Sequence, residues 1–93
     1  MKLVYTDVAI ADLKRLREFI AVHHPSAASR IATELLEKVT SLPDFPDIGT
    51  PVELAPVHGS IRDIVFGKYI VRYSVHNTTI IILRVWHELE GER

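Results

Sequence analysis

The sequence predicts an α+β domain: an N-terminal strand, an antiparallel two-helix hairpin, and then a three-stranded antiparallel meander. Three observations carry this. Apolar residues recur at helical spacing between about residues 7 and 42, β-branched and aromatic residues concentrate after residue 60, and the segments between those last runs are too short for anything but tight turns. A chain of 93 residues makes one domain, since it buries only about 60 to 65% of its unfolded surface and cannot support two cores. Residues 1–93 are therefore read as a single unit, with 88–93 a short acidic tail.

Residues 2 to 5 alternate weakly and read as the opening strand. From Asp7 the period changes: Ala9, Leu13, Leu16 and Ile20 fall on one helical face, while Asp12, Lys14, Arg15 and Glu18 take the remainder. Thr6 or Asp7 can accept the orphan amide protons at the helix start. His23-His24-Pro25 ends the helix, because the residue before a proline is pushed out of the α region. Pro25 or Ser26 begins a second helix, where the missing proline N–H costs nothing. Its apolar stripe is Ala28, Ile31, Leu35, Val39 and Leu42.

Residues 43 to 60 carry Pro43, Pro46, Pro51 and Pro56 with Gly49 and Gly59, and read as a loop holding a short edge strand around Val52 to Ala55. Loops of this length are either functional or stiff connectors. The three strands follow at Ile61 to Phe66, Tyr69 to Val75 and Thr79 to His87. Strict alternation sends Tyr69, Val71, Tyr73, Ile81, Leu83 and Val85 to the helix side. The other face then carries Ile70, Ile82 and Trp86 with Arg72 and Arg84, a mixture typical of interfaces.

Composition excludes several classes. The longest apolar run, Ile80-Ile81-Ile82-Leu83, is far short of the roughly 20 residues of a membrane span, and the N-terminus lacks a signal-peptide pattern. No membrane association is expected, and the cytoplasm is the expected location. With no cysteine there is no disulfide, thiolate nucleophile or cysteine zinc site. Adjacent His23 and His24 lack the i, i+4 spacing of a helical metal pair, and no glycine pattern cradles a phosphate, so neither metal nor cofactor is implied. Eleven Lys and Arg against twelve Asp and Glu give a formal charge of −1, which supplies no global attraction to nucleic acid.

The helix with Ala9-x-x-Asp12-Leu13, the start Pro25-x-x-Ala28-x-x-Ile31, the loop Leu42-Pro43-x-x-Pro46-x-x-Gly49, the pair Ile61-Arg62, and Tyr69-Ile70-Val71-Arg72-Tyr73 followed by Ile82-Leu83-Arg84-Val85-Trp86-His87 share an order and spacing. Together they resemble the RelE/ParE superfamily of bacterial toxins, the ParE branch most, over residues 2 to 88. The resemblance implies a β-α-α-β-β-β toxin of a type II toxin–antitoxin pair. It would be neutralised in a hetero-oligomer by a cognate antitoxin from an adjacent gene. ParE-like members resemble proteins that poison DNA gyrase, whereas RelE-like members cleave messenger RNA in the ribosome. The sequence departs from the family pattern at Thr50, where many relatives have arginine, and in the acidic tail from Glu88.

Two chemistries stay open. As a ParE-like poison acting by protein contact, the chain needs no catalytic residue, and Arg62, Arg72, Arg84 and Trp86 are candidate contacts for antitoxin or target. As a metal-independent endoribonuclease it would use His87 as acid or base and Arg72 and Arg84 to stabilise the phosphorane. Only this alternative requires direct nucleic-acid contact. Against it, Ile70 occupies the position where the nuclease branch commonly has an arginine. A third reading is a non-toxic binding module descended from a toxin.

Overall fold

The computed structural model describes residues 1–91. Strand β1 (Lys2–Tyr5) leads into helix α1 (Asp7–His23) and helix α2 (Ala28–Thr40), and a single 3-10 turn follows at Leu42–Asp44. Strands β2 (Thr50–Pro51), β3 (Ile61–Phe66), β4 (Tyr69–Val75) and β5 (Thr79–His87) complete the sheet, with a last 3-10 turn at Glu88–Glu90. The five strands run in the order β1-β5-β4-β3-β2. β3, β4 and β5 form the expected meander, and β1 returns to lie parallel to β5.

Thr6 caps α1, its hydroxyl accepting from Ala9 N–H at 3.0 Å and donating to the Leu83 carbonyl at 3.2 Å. The helix stops before Pro25, with His24 N–H returning to the Ile20 carbonyl. α2 starts at Ala28, later than Pro25 or Ser26, because residues 25 to 27 form a turn in which Ala27 N–H bonds to the His24 carbonyl. Ala27 offers no side-chain acceptor, so a capping side chain is lacking at this start.

The short edge strand lies at Thr50–Pro51 rather than at Val52 to Ala55. It pairs only with β3, so Pro51 sits where a missing N–H breaks no ladder. The loop before it is anchored from the core. Buried Tyr73 donates its hydroxyl proton to the Pro46 carbonyl at 2.9 Å and accepts from Gly49 N–H at 2.9 Å. A Cβ at residue 49 would lie 2.7 Å from that hydroxyl oxygen, which is why glycine stands there.

Helices and sheet enclose a core of Leu16, Ile20, Leu35, Val39 and Leu42 against Val71, Tyr73, Ile80, Ile82 and Val85. Strict alternation along β5 fails here. Tyr73 pairs with Ile82 and Arg72 with Arg84, leaving Leu83 as an extra residue opposite the Arg72/Tyr73 step. This bulge reverses the parity of the strand, so Ile80 and Ile82 face the core before it and Val85 after it. Ile81 and Leu83 therefore leave the helix side, and Ile82 joins it.

A second correction concerns α1. Its buried stripe is Ala9, Asp12, Leu16 and Ile20, with Leu13 only half-buried. Asp12 belongs inside because β1 is too short to cover β5. The partnership of the two strands ends where Thr6 N–H meets the Ile82 carbonyl. Beyond that point the edge of β5 would be unpaired, and α1 side chains supply the missing partners: Val85 N–H donates to Asp12 at 2.9 Å and the Val85 carbonyl accepts from Arg15 at 3.0 Å.

Candidate functional site

The four candidate contact residues occupy three different environments. Arg62 closes the loop between β2 and β3: its guanidinium donates to the carbonyls of Gly49 at 2.8 Å, Gly59 at 3.1 Å and Asp47 at 3.2 Å. Three carbonyls held by one cation make it a clasp for the proline-rich segment.

Arg84 turns at the bulge towards α1. Its Nε and Nη2 donate to the two oxygens of Asp12 at 2.8 and 3.1 Å. Arg15, one helical turn from Asp12, donates to the same carboxylate and to Glu90, with Nε to Oε2 at 2.7 Å. Burial pushes the Asp12 carboxyl up, but hydrogen bonds from Arg84, Arg15 and Val85 N–H outweigh it and hold the pKa at about 2. This carboxylate is 2% exposed and fully ligated, so the cluster is a structural joint between α1, β5 and the C-terminal turn. The acidic tail begins inside that joint: Glu90 also accepts from His87 N–H at 3.0 Å. Glu92 and Arg93 lie outside the described residues.

Arg72 and Trp86 lie together on the face of the sheet away from the helices. Cross-strand pairing sets Arg72 beside Asp63, and the guanidinium fork grips both carboxylate oxygens at 2.8 and 2.9 Å. Its Cζ stands 5.2 Å from the Trp86 ring centroid, within cation–π range. Val65, 63% exposed, is paired with half-buried Ile70, so apolar area borders the ion pair.

His87 is on the other side of β5, 2% exposed. Its ring packs between Phe19 of α1, with centroids 4.8 Å apart, and the edge of Tyr69 at 5.0 Å. Nδ1 accepts from Leu89 N–H at 3.0 Å, so His87 caps the C-terminal turn. The suggested catalytic set of His87, Arg72 and Arg84 is thus divided: one on the helix-side core, one on the open face, one bound to Asp12 at the edge. Among the described residues no group of three or more His, Asp or Glu side chains is arranged to hold a metal ion, and no helix is long and apolar enough to cross a membrane.

A separate apolar groove runs between α1 and α2. Ile10, Leu13 and Leu16 form one wall and Leu35 and Leu36 the other, enclosing about 260 Å³ with Lys14 and Arg17 at the rim. Ile10 and Leu36 are each more than two-fifths exposed, which leaves the hairpin with unsatisfied apolar surface. Sequence reasoning missed the inward role of Asp12, Arg15 and Glu90. The signal was present: four residues of β1 cannot cover nine of β5, and Asp12-x-x-Arg15 is the nearest pair able to finish the job.

Comparisons with known proteins are consistent across sequence and structure. Residues 3–90 match the family model described as the ParE toxin of the type II toxin–antitoxin system parDE. The chain is 33% identical over 87 residues to Toxin RelE2 of Caulobacter vibrioides, covering 92% of this chain and 93% of that protein. Toxin RelE1 of the same organism is 32% identical over 81 residues, covering 85% of this chain and 84% of that protein. Among solved structures, the chain superposes on the chromosomal ParDE system of P. aeruginosa with a TM-score of 0.76 at 23% identity, covering 94% of this chain and 95% of that chain. It superposes on the RelBE2 toxin–antitoxin complex of Mycobacterium tuberculosis with a TM-score of 0.67 at 27% identity, covering 92% and 95%.

Proposed function

We propose that this chain, which belongs to the ParE toxin family of type II toxin–antitoxin systems, poisons DNA gyrase by protein contact and is neutralised by a cognate antitoxin encoded beside it. The observation that supports contact over RNA cleavage is that His87 lies on the helix side, packed between Phe19 and Tyr69, while the cross-strand neighbours Arg72 and Arg84 are held by Asp63 and Asp12. An acid or base must reach the same phosphate as the charge-stabilising groups. Here two of the three are committed to carboxylates and the third is packed in aromatic rings. Ile70 adds no positive charge on the open face.

Two surfaces suit a protein partner. The groove of Ile10, Leu13 and Leu36 fits an amphipathic segment that folds as it binds, with carboxylates of that segment meeting Lys14 and Arg17. The open face offers Arg72 and Trp86 with apolar Ile70 and Val65 beside them. The antitoxin takes the groove in this reading, which leaves the open face for the target or for a second part of the antitoxin.

The deciding experiment is gyrase supercoiling and cleavage titrated with purified protein, with and without the adjacent-gene partner. Inhibition or trapped DNA breaks, reversed by the partner, is the expected result. No effect from folded protein at micromolar concentration overturns it. A ribosome-bound messenger-cleavage assay then separates an endoribonuclease from a non-toxic binding module. The groove is tested separately: reversing Lys14 and Arg17 to glutamate should weaken antitoxin binding at least about tenfold, since two charge-assisted contacts are lost.

A further inference from the structure

Beneath the start of α2 lies a second cleft, about 360 Å³ in volume, which the gyrase reading does not use. Ala27, Arg30 and Ile31 form one wall and Phe66, Gly67 and Lys68 of the β3–β4 turn the other, while His24 and Glu34 complete the rim and Tyr69 and His87 lie at its base. The cleft is built on fixed elements. Gly67 makes the turn with φ of 56°, and Glu88 N–H holds the Lys68 carbonyl at 2.8 Å.

His87 gives this cleft its polarity. Because Nδ1 accepts from Leu89 N–H, the proton of the neutral ring sits on Nε2. Burial pushes the imidazole below its usual pKa; Glu88 and Glu90 oppose this, while Lys68 and His24 reinforce it, so the neutral form prevails at neutral pH. Nε2–H has no hydrogen-bond partner among the described residues, yet it is not among the fully buried polar atoms, so on a side chain 2% exposed that lines the cleft its small open surface faces the cleft. A donor with so little exposure meets little water, and an incoming acceptor would pair it. The cleft lining carries Lys68, Arg30 and His24 with one acid, Glu34, which Arg30 already holds at 3.3 Å, while Glu88 and Glu90 act on the ring from the C-terminal turn. Ile31, Phe66 and Tyr69 supply apolar walls.

We propose that this cleft binds a carboxylate carried on an apolar stem, one oxygen accepting from His87 Nε2–H and the charge compensated by Lys68, with Ile31, Phe66 and Tyr69 around the stem. The carboxylate belongs either to a partner peptide or to a free organic acid, and the two sources share this chemistry. The assignment does not depend on gyrase contact and shares only His87 with the endoribonuclease alternative.

The test is an imidazole nitrogen NMR titration of the full chain with N-acetyl-phenylalanine, with N-acetyl-phenylalaninamide as the uncharged match. The acid should shift the His87 Nε2 resonance saturably in the millimolar range, and bind about fivefold or more tightly than the amide, the worth of one charge-assisted contact. His87→Gln, whose amide can place a donor near the Nε2 position, should retain binding that His87→Leu loses. Lys68→Glu, a change at an exposed residue, should weaken it about fivefold with the circular dichroism spectrum unchanged, and this variant decides the matter if His87→Leu does not fold. Equal responses to acid and amide, an unmoved His87 resonance, or unchanged affinity in Lys68→Glu overturns the proposal. Displacement of the acid by the adjacent-gene antitoxin assigns the site to a partner carboxylate; simultaneous binding assigns it to a small acid.

Discussion

Two arginine–aspartate forks start from cross-strand neighbours, one turned to the edge of the sheet and one on its open face, and they do different work. Arg84 grips Asp12 beneath α1, where the carboxylate is 2% exposed and also ties down Arg15 and Val85 N–H. Arg72 grips Asp63 on the open face with nearly the same hydrogen-bond lengths, and the difference lies in the carboxylates: the arginines are 31% and 19% exposed, but Asp63 is 25% exposed where Asp12 is 2%. Equal geometry in unequal burial means unequal dependence. The first fork completes the backbone pairing of β5 and joins three elements, so its loss orphans the buried Val85 N–H. The second decorates a surface, and its loss returns two charges to water. A pair of the first kind holds a fold together, whereas one of the second kind can exchange partners.

Breaking the covered fork should have the largest effect. Asp12→Ala leaves the buried Val85 N–H without its acceptor, while Arg84 and Arg15, each 31% exposed, turn to water, a loss of about 2 to 3 kcal/mol. In a domain of this size such a loss is a large part of the stability margin. Urea unfolding of Asp12→Ala should show either a greatly lowered midpoint or no folded baseline. A midpoint within experimental error of the parent would remove the joint from the account of the fold.

The contrast also explains which parts of the molecule could be read from its sequence. The helices and the meander follow from local periodicity, since Leu16, Ile20, Leu35, Val39, Val71 and Tyr73 lie where a simple period places them. β5 defeats the same rule because one extra residue, Leu83, changes the parity, and nothing in Ile80-Ile81-Ile82-Leu83 distinguishes the two faces. Asp12 defeats it for another reason: polarity assigns a charged residue to solvent, while its burial depends on an edge 73 residues away along the chain. Internal partners of Arg62 and Arg84, the Gly49 carbonyl and the Asp12 carboxylate, were hidden for the same cause, since they lie 13 and 72 residues away along the chain. Arg72 with Trp86 was legible because adjacent strands with a short turn bring them together.

A milder perturbation uses protons. The Asp12 pKa, about 2 in the fold against a usual value of 3.8, means that the unfolded chain binds the proton more readily. The stabilisation is therefore complete above about pH 5 and drains away as pH falls through the folded value near 2. It amounts to roughly 2 kcal/mol, since each pKa unit is worth about 1.4 kcal/mol. Denaturant midpoints measured from pH 5 to pH 2 should fall in the parent, and the fall should be shallower in Asp12→Asn. Parallel profiles for the two proteins would place the acid sensitivity elsewhere.

The smallest effect is expected on the open face, and it sharpens the comparison most. Arg72→Gln removes a partly exposed ion pair and a cation–π contact with Trp86, each worth no more than about 1 kcal/mol. Asp63 does not become a buried orphan, because a quarter of its side chain is already exposed and water can replace the guanidinium. Thermal unfolding should therefore move by only a few degrees, with the decrease shrinking further at high salt as screening already weakens the parent pair. A loss as large as that of Asp12→Ala would mean that both forks are joints of the fold. A small loss leaves the Arg72 and Trp86 face as the surface on which binding can be altered without unfolding the domain.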